Sequence, residues 1–230
     1  MRTLPWFYYF ANWMLRNVIF RLLMKVEIHG LEEVPATGPL IVVINHFNFV
    51  DPIMAGAYFP RDLEMMSKLE NFELPLFGWF VKAYGAFPVR RGEGDVEAIK
   101  HALRILHEGR VLLMAPEGTR GGTVLKTGHG GVALLAARSG APVIPVGITG
   151  QEHFLPNLKH LRRTPIRVSI GAPFHLDAGT RKPPREILQA MTEELMGRLA
   201  IQLPLEYRGE YQTLRNSERF VRLLKTAPAA

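Results

Sequence analysis

The 230-residue chain contains no cysteine. That excludes disulfides, zinc-finger and iron–sulfur sites, and any thiol nucleophile. Serine is nearly as scarce. Ser67, Ser139, Ser169 and Ser217 are the whole complement, and none lies in a G-x-S-x-G turn. With no candidate for a serine- or cysteine-bound acyl-enzyme, a histidine base here has to work on a hydroxyl carried by a substrate, that is, by direct transfer between two bound molecules. Long apolar runs are also missing. The stretch from Thr3 to Leu15 is broken off by Arg16 and Arg21, short of the roughly 20 residues that a membrane span needs. No small-residue cleavage site follows it. Acids are in deficit, with 21 Asp and Glu against 28 Lys and Arg, a net charge of +7 and a pI near 9.9. Such a surface attracts phosphates, on nucleic acid, an anionic bilayer or a small substrate. The basic residues are spread along the chain without a recognition motif, which argues against nucleic acid.

The composition is otherwise that of one domain with a full core: 47% of residues are hydrophobic and 21% charged. Short β-branched runs alternate with helical patterns. Strands are expected at Val26–His29, Leu40–Asn45, Leu63–Ser67, Ala86–Val89, Val111–Ala115, Val143–Ile148 and Ile166–Ile170. Helices are expected from Asp51-Pro52, with Asp51 as the cap, over Pro75–Ala83, after the cap Asp95, over Gly131–Ser139 and over Pro184–Leu203. In the fourth of these positions Gly140 ends the helix. In the helix after Asp95, the apolar positions Val96, Ile99, Leu103 and Leu106 follow helical spacing. The alternation implies an α/β fold, a mainly parallel sheet flanked by helices. Ahead of it, LPWFYYFANWMLRNVIFRLLMK carries two Trp, two Tyr and three Phe, together with Arg16, Arg21 and Lys25, and no acid occurs before Glu27. Aromatic bulk with cations and no acids describes a helix lying in a membrane interface. A helix packed on the core is the alternative.

Reactive side chains fall just past the ends of separate strands. His46 follows Asn45, Lys68 follows Ser67, Arg90 and Arg91 follow Val89, and Glu117 and Arg120 follow Ala115. In an open parallel sheet those ends share one edge, where ligands bind. His46 and Asp51 stand five apart across a turn. A carboxylate on one imidazole nitrogen fixes the tautomer and frees the other to accept a proton. A plain helix cap and a plain loop histidine is the alternative. Neighbouring metal ligands are missing. Pro116-Glu117-Gly118-Thr119-Arg120 is a tight polar turn in which Arg120 can grip a phosphate with two hydrogen bonds and Glu117 can orient a cation or a hydroxyl. As an isolated motif it also fits an ordinary solvated loop. The following GGTVLKTGHGG is not a Walker A loop. Its Gly128-His129-Gly130 with Ala133 matches only the loose dinucleotide pattern.

NHFNFVDP, GAFPVRR, APEGTRGG and VIPVGI, in this order, resemble the four blocks of the glycerolipid acyltransferases, nearest to the 1-acyl-sn-glycerol-3-phosphate type. The likeness runs from Val26 to Tyr211 and includes SKLENFELPLFGW. It implies that His46 is the general base and Asp51 its partner, and that Lys68, Arg91, Glu117, Gly118, Thr119 and Arg120 bind the acceptor phosphate. It also implies an acyl thioester donor, acyl-CoA or acyl carrier protein, a lysophospholipid acceptor, phosphatidic acid as product, and no cofactor. The location implied is the cytoplasmic face of the cell membrane, peripheral or monotopic, on an anionic surface. Residues 1–25 would then be an amphipathic membrane-associating helix, 26–215 the acyltransferase domain and 216–230 a basic tail. Two positions depart from the family pattern: Asn48 stands where Ser is usual, and Arg90 where an acid is usual. Phe72, Leu74, Phe77 and Trp79 are candidates for an acyl groove, with ordinary core packing as the favoured alternative for each. Two rival readings are the same chemistry on another lysophospholipid or a glycolipid, and a peripheral lipid-binding protein without catalysis.

Overall fold

The computed structural model describes residues 5–90, 95–118, 121–213 and 219–224. The chain opens with α1 (Pro5–Met14), widens into a π-type turn over Leu15–Ile19, closes with α2 (Phe20–Leu23) and runs straight into β1 (Met24–His29). Then follow β2 (Leu40–Ile44), α3 (Asp51–Tyr58), β3 (Leu63–Lys68), α4 (Leu69–Glu73), α5 (Phe77–Ala83), β4 (Ala86–Val89), α6 (Val96–His107), β5 (Val111–Met114) and α7 (Gly131–Ser139). The rest is β6 (Val143–Thr149), α8 (Phe154–Lys159), β7 (Thr164–Ile170), β8 (Phe174–Leu176), α9 (Arg185–Ile201) and β9 (Val221–Leu223).

One sheet contains all these strands, in the order β1-β7-β6-β2-β5-β3-β4. From β6 to β4 every neighbour is parallel. The sheet is therefore mainly parallel, as the alternation of elements implied. β7 and β8 lie antiparallel to β6, and β1 follows β7 in parallel. The LIVVI of β2 is buried throughout because both faces are covered. Ile41 and Val43 face the core under α6, α7 and α9. Leu40, Val42 and Ile44 face the core shared with α1, α2 and α3.

Three expectations are corrected, and the face of α6 is completed. Asp51 is the first helical residue of α3, not its cap; Val50 takes the cap position without a side-chain bond. Asp51 is instead turned back onto its own loop. Lys68 is the last residue of β3 rather than the residue after it. The buried face of α6 runs along Ala98, Ala102, Ile105 and Leu106, while Val96 is exposed. Alanines face the sheet because they let the helix approach it closely. The segment 216–230 is not all tail: Phe220 and Val221 are buried, and β9 pairs with β8. Asp95 does cap α6, accepting from the Ala98 N–H at 3.0 Å.

The N-terminal helix has two unlike faces. Tyr8, Ala11 and Phe20 are buried against the sheet side. The Tyr8 hydroxyl accepts from the Leu63 N–H at 3.1 Å, and the Tyr84 hydroxyl donates to Asn12. Trp6 (64% exposed), Phe10, Trp13 and Leu22 point outward. Trp79 joins this surface through Phe7, with ring centroids 4.9 Å apart. Among the described residues no helix is long and apolar enough to cross a membrane.

Candidate active site

His46 occupies a short loop that the surrounding chain holds at several points. Just before it, buried Asn45 continues the ladder between β2 and β6 with its side chain. Its amide donates to the Ile148 carbonyl at 2.8 Å and accepts from the Ile148 N–H at 2.7 Å. Just after it, Phe47 is buried and stacks on Tyr207. The Asn48 side chain donates to the Gln151 carbonyl at 3.1 Å. Asn48, the departure from the family pattern, thus latches the loop to the turn after β6.

The imidazole faces Asp51, with Nδ1 3.4 Å from Oδ2. The same Oδ2 accepts the Asn48 N–H at 2.7 Å, whereas Oδ1 is buried with no hydrogen-bond partner. Burial therefore pushes the Asp51 carboxyl above the usual carboxylate range; the bonds from His46 and Asn48 oppose the rise. With Nδ1 turned to Asp51, Nε2 is the nitrogen left to accept a proton.

Glu117 holds a place that its sequence motif did not foretell. It is only 2% exposed. Oε2 accepts the backbone N–H of His46 at 2.7 Å, and Oε1 accepts that of Lys126 at 3.1 Å. The His46 carbonyl in turn accepts from Gly121 at 3.2 Å. The peptide of the histidine is thus gripped on both sides by the loop after β5. Each Glu117 oxygen holds a main-chain N–H, so the side chain positions the His46 loop. Burial pushes its carboxyl up as well, against these two bonds.

Gly118 has φ +69°, and a Cβ there would lie 2.8 Å from the His129 ring. Only glycine fits this turn. His129 was legible only as part of a loose glycine pattern. It proves to line the same cavity as His46, with its N–H donated to the Pro116 carbonyl at 2.8 Å. The neighbouring Gly128 serves packing, because a Cβ would lie 2.7 Å from Met196 on α9.

The cavity beside His46 encloses about 200 Å³. Met65, Met66, Val89, Leu113, Met114 and Val132 wall it, and His46 and His129 are the polar side chains among its described lining. A mostly apolar cavity with an imidazole in its wall can take apolar substrate atoms beside the base. The expected groove residues do not line it; Leu74, Phe77 and Trp79 are exposed instead. Lys68 sits at the same sheet edge, half exposed and paired with Glu70 at 2.8 Å. The Arg90 N–H donates to Asp95 at 2.9 Å. Arg91, Thr119 and Arg120 lie outside the described residues.

A family model described as Acyltransferase matches residues 25–149. The chain is 30% identical over 184 residues to the 1-acyl-sn-glycerol-3-phosphate acyltransferase of Bacillus subtilis, a match covering 80% of this chain and 90% of that one. It is 36% identical over 149 residues to the lyso-ornithine lipid O-acyltransferase of Pseudomonas aeruginosa, covering 64% and 56% respectively. Its fold matches the crystal structure of the 1-acyl-sn-glycerophosphate (LPA) acyltransferase PlsC from Thermotoga maritima with a TM-score of 0.63 at 23% identity, over 82% of this chain and 76% of that one. The family model spans more than half of the chain, and the Bacillus relative is matched over nearly its whole length. With a mainly parallel sheet and a histidine presented at its edge, the chain belongs to the acyltransferase family and is an O-acyltransferase.

Proposed function

We propose that this enzyme moves a fatty acyl group from an acyl thioester to the free hydroxyl of 1-acylglycerol-3-phosphate, giving phosphatidic acid. The observation that carries this reading is the clamped His46 lining a mostly apolar cavity, with Asp51 behind its Nδ1. Nε2 takes the proton of the acceptor hydroxyl while its oxygen forms a bond to the thioester carbonyl carbon. The tetrahedral intermediate then breaks its C–S bond, and the departing thiolate recovers the proton from His46. Neither a serine nor a cysteine is needed. Lys68, Arg91, Thr119 and Arg120, with the Gly118 backbone, receive the acceptor phosphate. Lys68 has to exchange Glu70 for that phosphate. Holding the two substrates in line supplies roughly 7–11 kcal/mol of barrier reduction.

Both lipids reside in a bilayer, and the outward aromatics of the N-terminal helix suit its interface. In this reading the enzyme sits peripherally on the cytoplasmic face of the cell membrane, where thioester donors are made. The experiment is thiol release from acyl-CoA or acyl carrier protein, with lysophosphatidic acid present and absent. Release that depends on this acceptor supports the proposal. Vesicle binding with no release for any acceptor marks a lipid-binding protein without catalysis.

A second acceptor is favoured by one group of observations. Lys68 is already neutralised by Glu70, Asn48 and Arg90 replace the usual family residues, and one relative is named for a lyso-ornithine lipid. Faster turnover of a phosphate-free acceptor would transfer the chemistry to that class.

A further inference from the structure

The segment FLPNLKHLRR, residues 154–163, combines three leucines with Lys159, His160, Arg162 and Arg163, and no acid occurs between Glu152 and Asp177. It folds as α8 and a closing turn. At the end of α8 the Arg162 N–H donates to the Asn157 carbonyl at 2.9 Å, and the Leu161 N–H to the Leu158 carbonyl at 3.1 Å. That closure requires a left-handed residue, a position usually filled by glycine. Here it is Leu161, with φ +51°. Its side chain is 93% exposed, while Leu155 and Leu158 are 48% and 37% exposed. The chain therefore strains its backbone to hold a large apolar group out in water, a combination that neither core packing nor solvation rewards.

The placement adds a second observation. β6 runs parallel to β2, so α8 leaves the sheet at the edge that carries His46. Phe154 meets Phe49 of the His46 loop at 6.5 Å between ring centroids. Arg163 donates twice to the Met24 carbonyl, at 2.6 and 3.1 Å. The turn is thereby tied to the foot of the N-terminal helix, where Leu22 is exposed.

We propose that residues 154–163 form a second membrane-contacting element, in which Leu155, Leu158 and Leu161 enter the apolar zone of an anionic bilayer and Lys159 and Arg162 meet its head groups. The proposal rests on the lipid-acceptor reading above and extends it to a named surface. Cations beside the leucines select a negatively charged lipid surface over a neutral apolar partner. With contacts at α8 and at the foot of the N-terminal helix, the sheet edge bearing His46 is turned toward the lipid. The acceptor then reaches the base without leaving the bilayer.

The test uses the full chain and co-sedimentation with phosphatidylcholine vesicles, with or without phosphatidylglycerol. Leu161→Gly should bind about tenfold more weakly and yet raise Tm by about 2–4 °C, since glycine suits the left-handed turn. A purely structural leucine cannot produce those opposite signs. Joint replacement of Leu155, Leu158 and Leu161 by Ser should weaken binding a hundredfold or more. Should that variant fail to fold, Lys159→Gln with Arg162→Gln decides. It should lose about 25-fold on phosphatidylglycerol-containing vesicles and nothing on phosphatidylcholine alone. Turnover of a short-chain, monomeric acceptor should be unchanged in all of them, which separates this proposal from the catalytic one. Wild-type sedimentation of Leu161→Gly and of the double cation variant would overturn it and would leave the leucines to a protein partner.

Discussion

Glu117→Gln is the sharpest test of how the base is held. The wild-type carboxylate accepts two main-chain N–H groups, one of them from His46 at 2.7 Å. The amide of glutamine offers one acceptor and, on the other side, two donors that face a backbone donor. One N–H is then left buried without a partner, at a cost of about 1–3 kcal/mol. The peptide of His46 rotates to relieve it. The imidazole has little margin, because its contact with Asp51 is already 3.4 Å. A displacement of about 1 Å takes that contact outside hydrogen-bonding range. Misplacement on this scale costs on the order of a hundredfold in rate. Steady-state thiol release should therefore show kcat reduced about a hundredfold, with the acceptor KM nearly unchanged. A large rise in the acceptor KM with kcat intact would refute the argument, because it would make Glu117 a substrate contact. The same variant reports a pH effect. Burial raises the native pKa of Glu117 above its unfolded value, so the folded chain holds this proton more tightly. The associated stability is present in acid and is lost as pH rises through the native pKa. The Tm of Glu117→Gln relative to wild type should accordingly climb with pH and then level off.

Replacing His46 by Ala should remove 10²–10⁴-fold of turnover with the fold retained, and Asp51→Asn should fall in the same range; circular dichroism alongside the assay separates rate from folding. Removing Lys68, Arg91 or Arg120 should raise the KM for a phosphate-bearing acceptor roughly 10- to 150-fold and leave a neutral acceptor unaffected. Equal sensitivity of the two acceptors would assign these cations to structure. Met66→Trp should fill the cavity beside His46 and shift donor preference toward shorter acyl chains, read from competition between acyl-CoA lengths; an unchanged preference would place the chain elsewhere.

The strand end that carries His46 was readable because β2 is a continuous, largely β-branched run, whereas β3 and β4, which lead to Lys68 and Arg90, were placed by their alternation with helical segments. The caps were readable where one residue decides them: Asp95 opens α6 and Gly140 closes α7. Other features left no local mark. β8 and β9 are three residues each, and β9 lies within a basic stretch, so no periodicity could accumulate. In α6, Leu106 is buried and Ile99 and Leu103 pack partly on the core as their spacing suggests; Val96 is exposed, and Ala98 and Ala102, which weigh less in an apolar pattern, complete the buried face. The clamp that Glu117 puts on the His46 loop left no mark because its partners are main-chain N–H groups, which nearly every sequence position possesses. His129 was hidden by its glycines. Its proximity to the site depends on the path of the loop from Pro116 to α7, and local residue preferences do not encode that path.

The bonds around His46 reach far along the chain. Glu117 lies 71 residues downstream, and Ile148 and Gln151 lie 103 residues from Asn45 and Asn48. During synthesis the base and Asp51 emerge together, long before Glu117 and the β6 groups that hold their loop. A chain that stops before β6 lacks the partner of Asn45, and one that stops before Gln151 lacks the partner of Asn48; loop closure over such separations is slow compared with local helix formation. A stop between Asp51 and Val143 therefore leaves the base its carboxylate but not the strand that positions its loop.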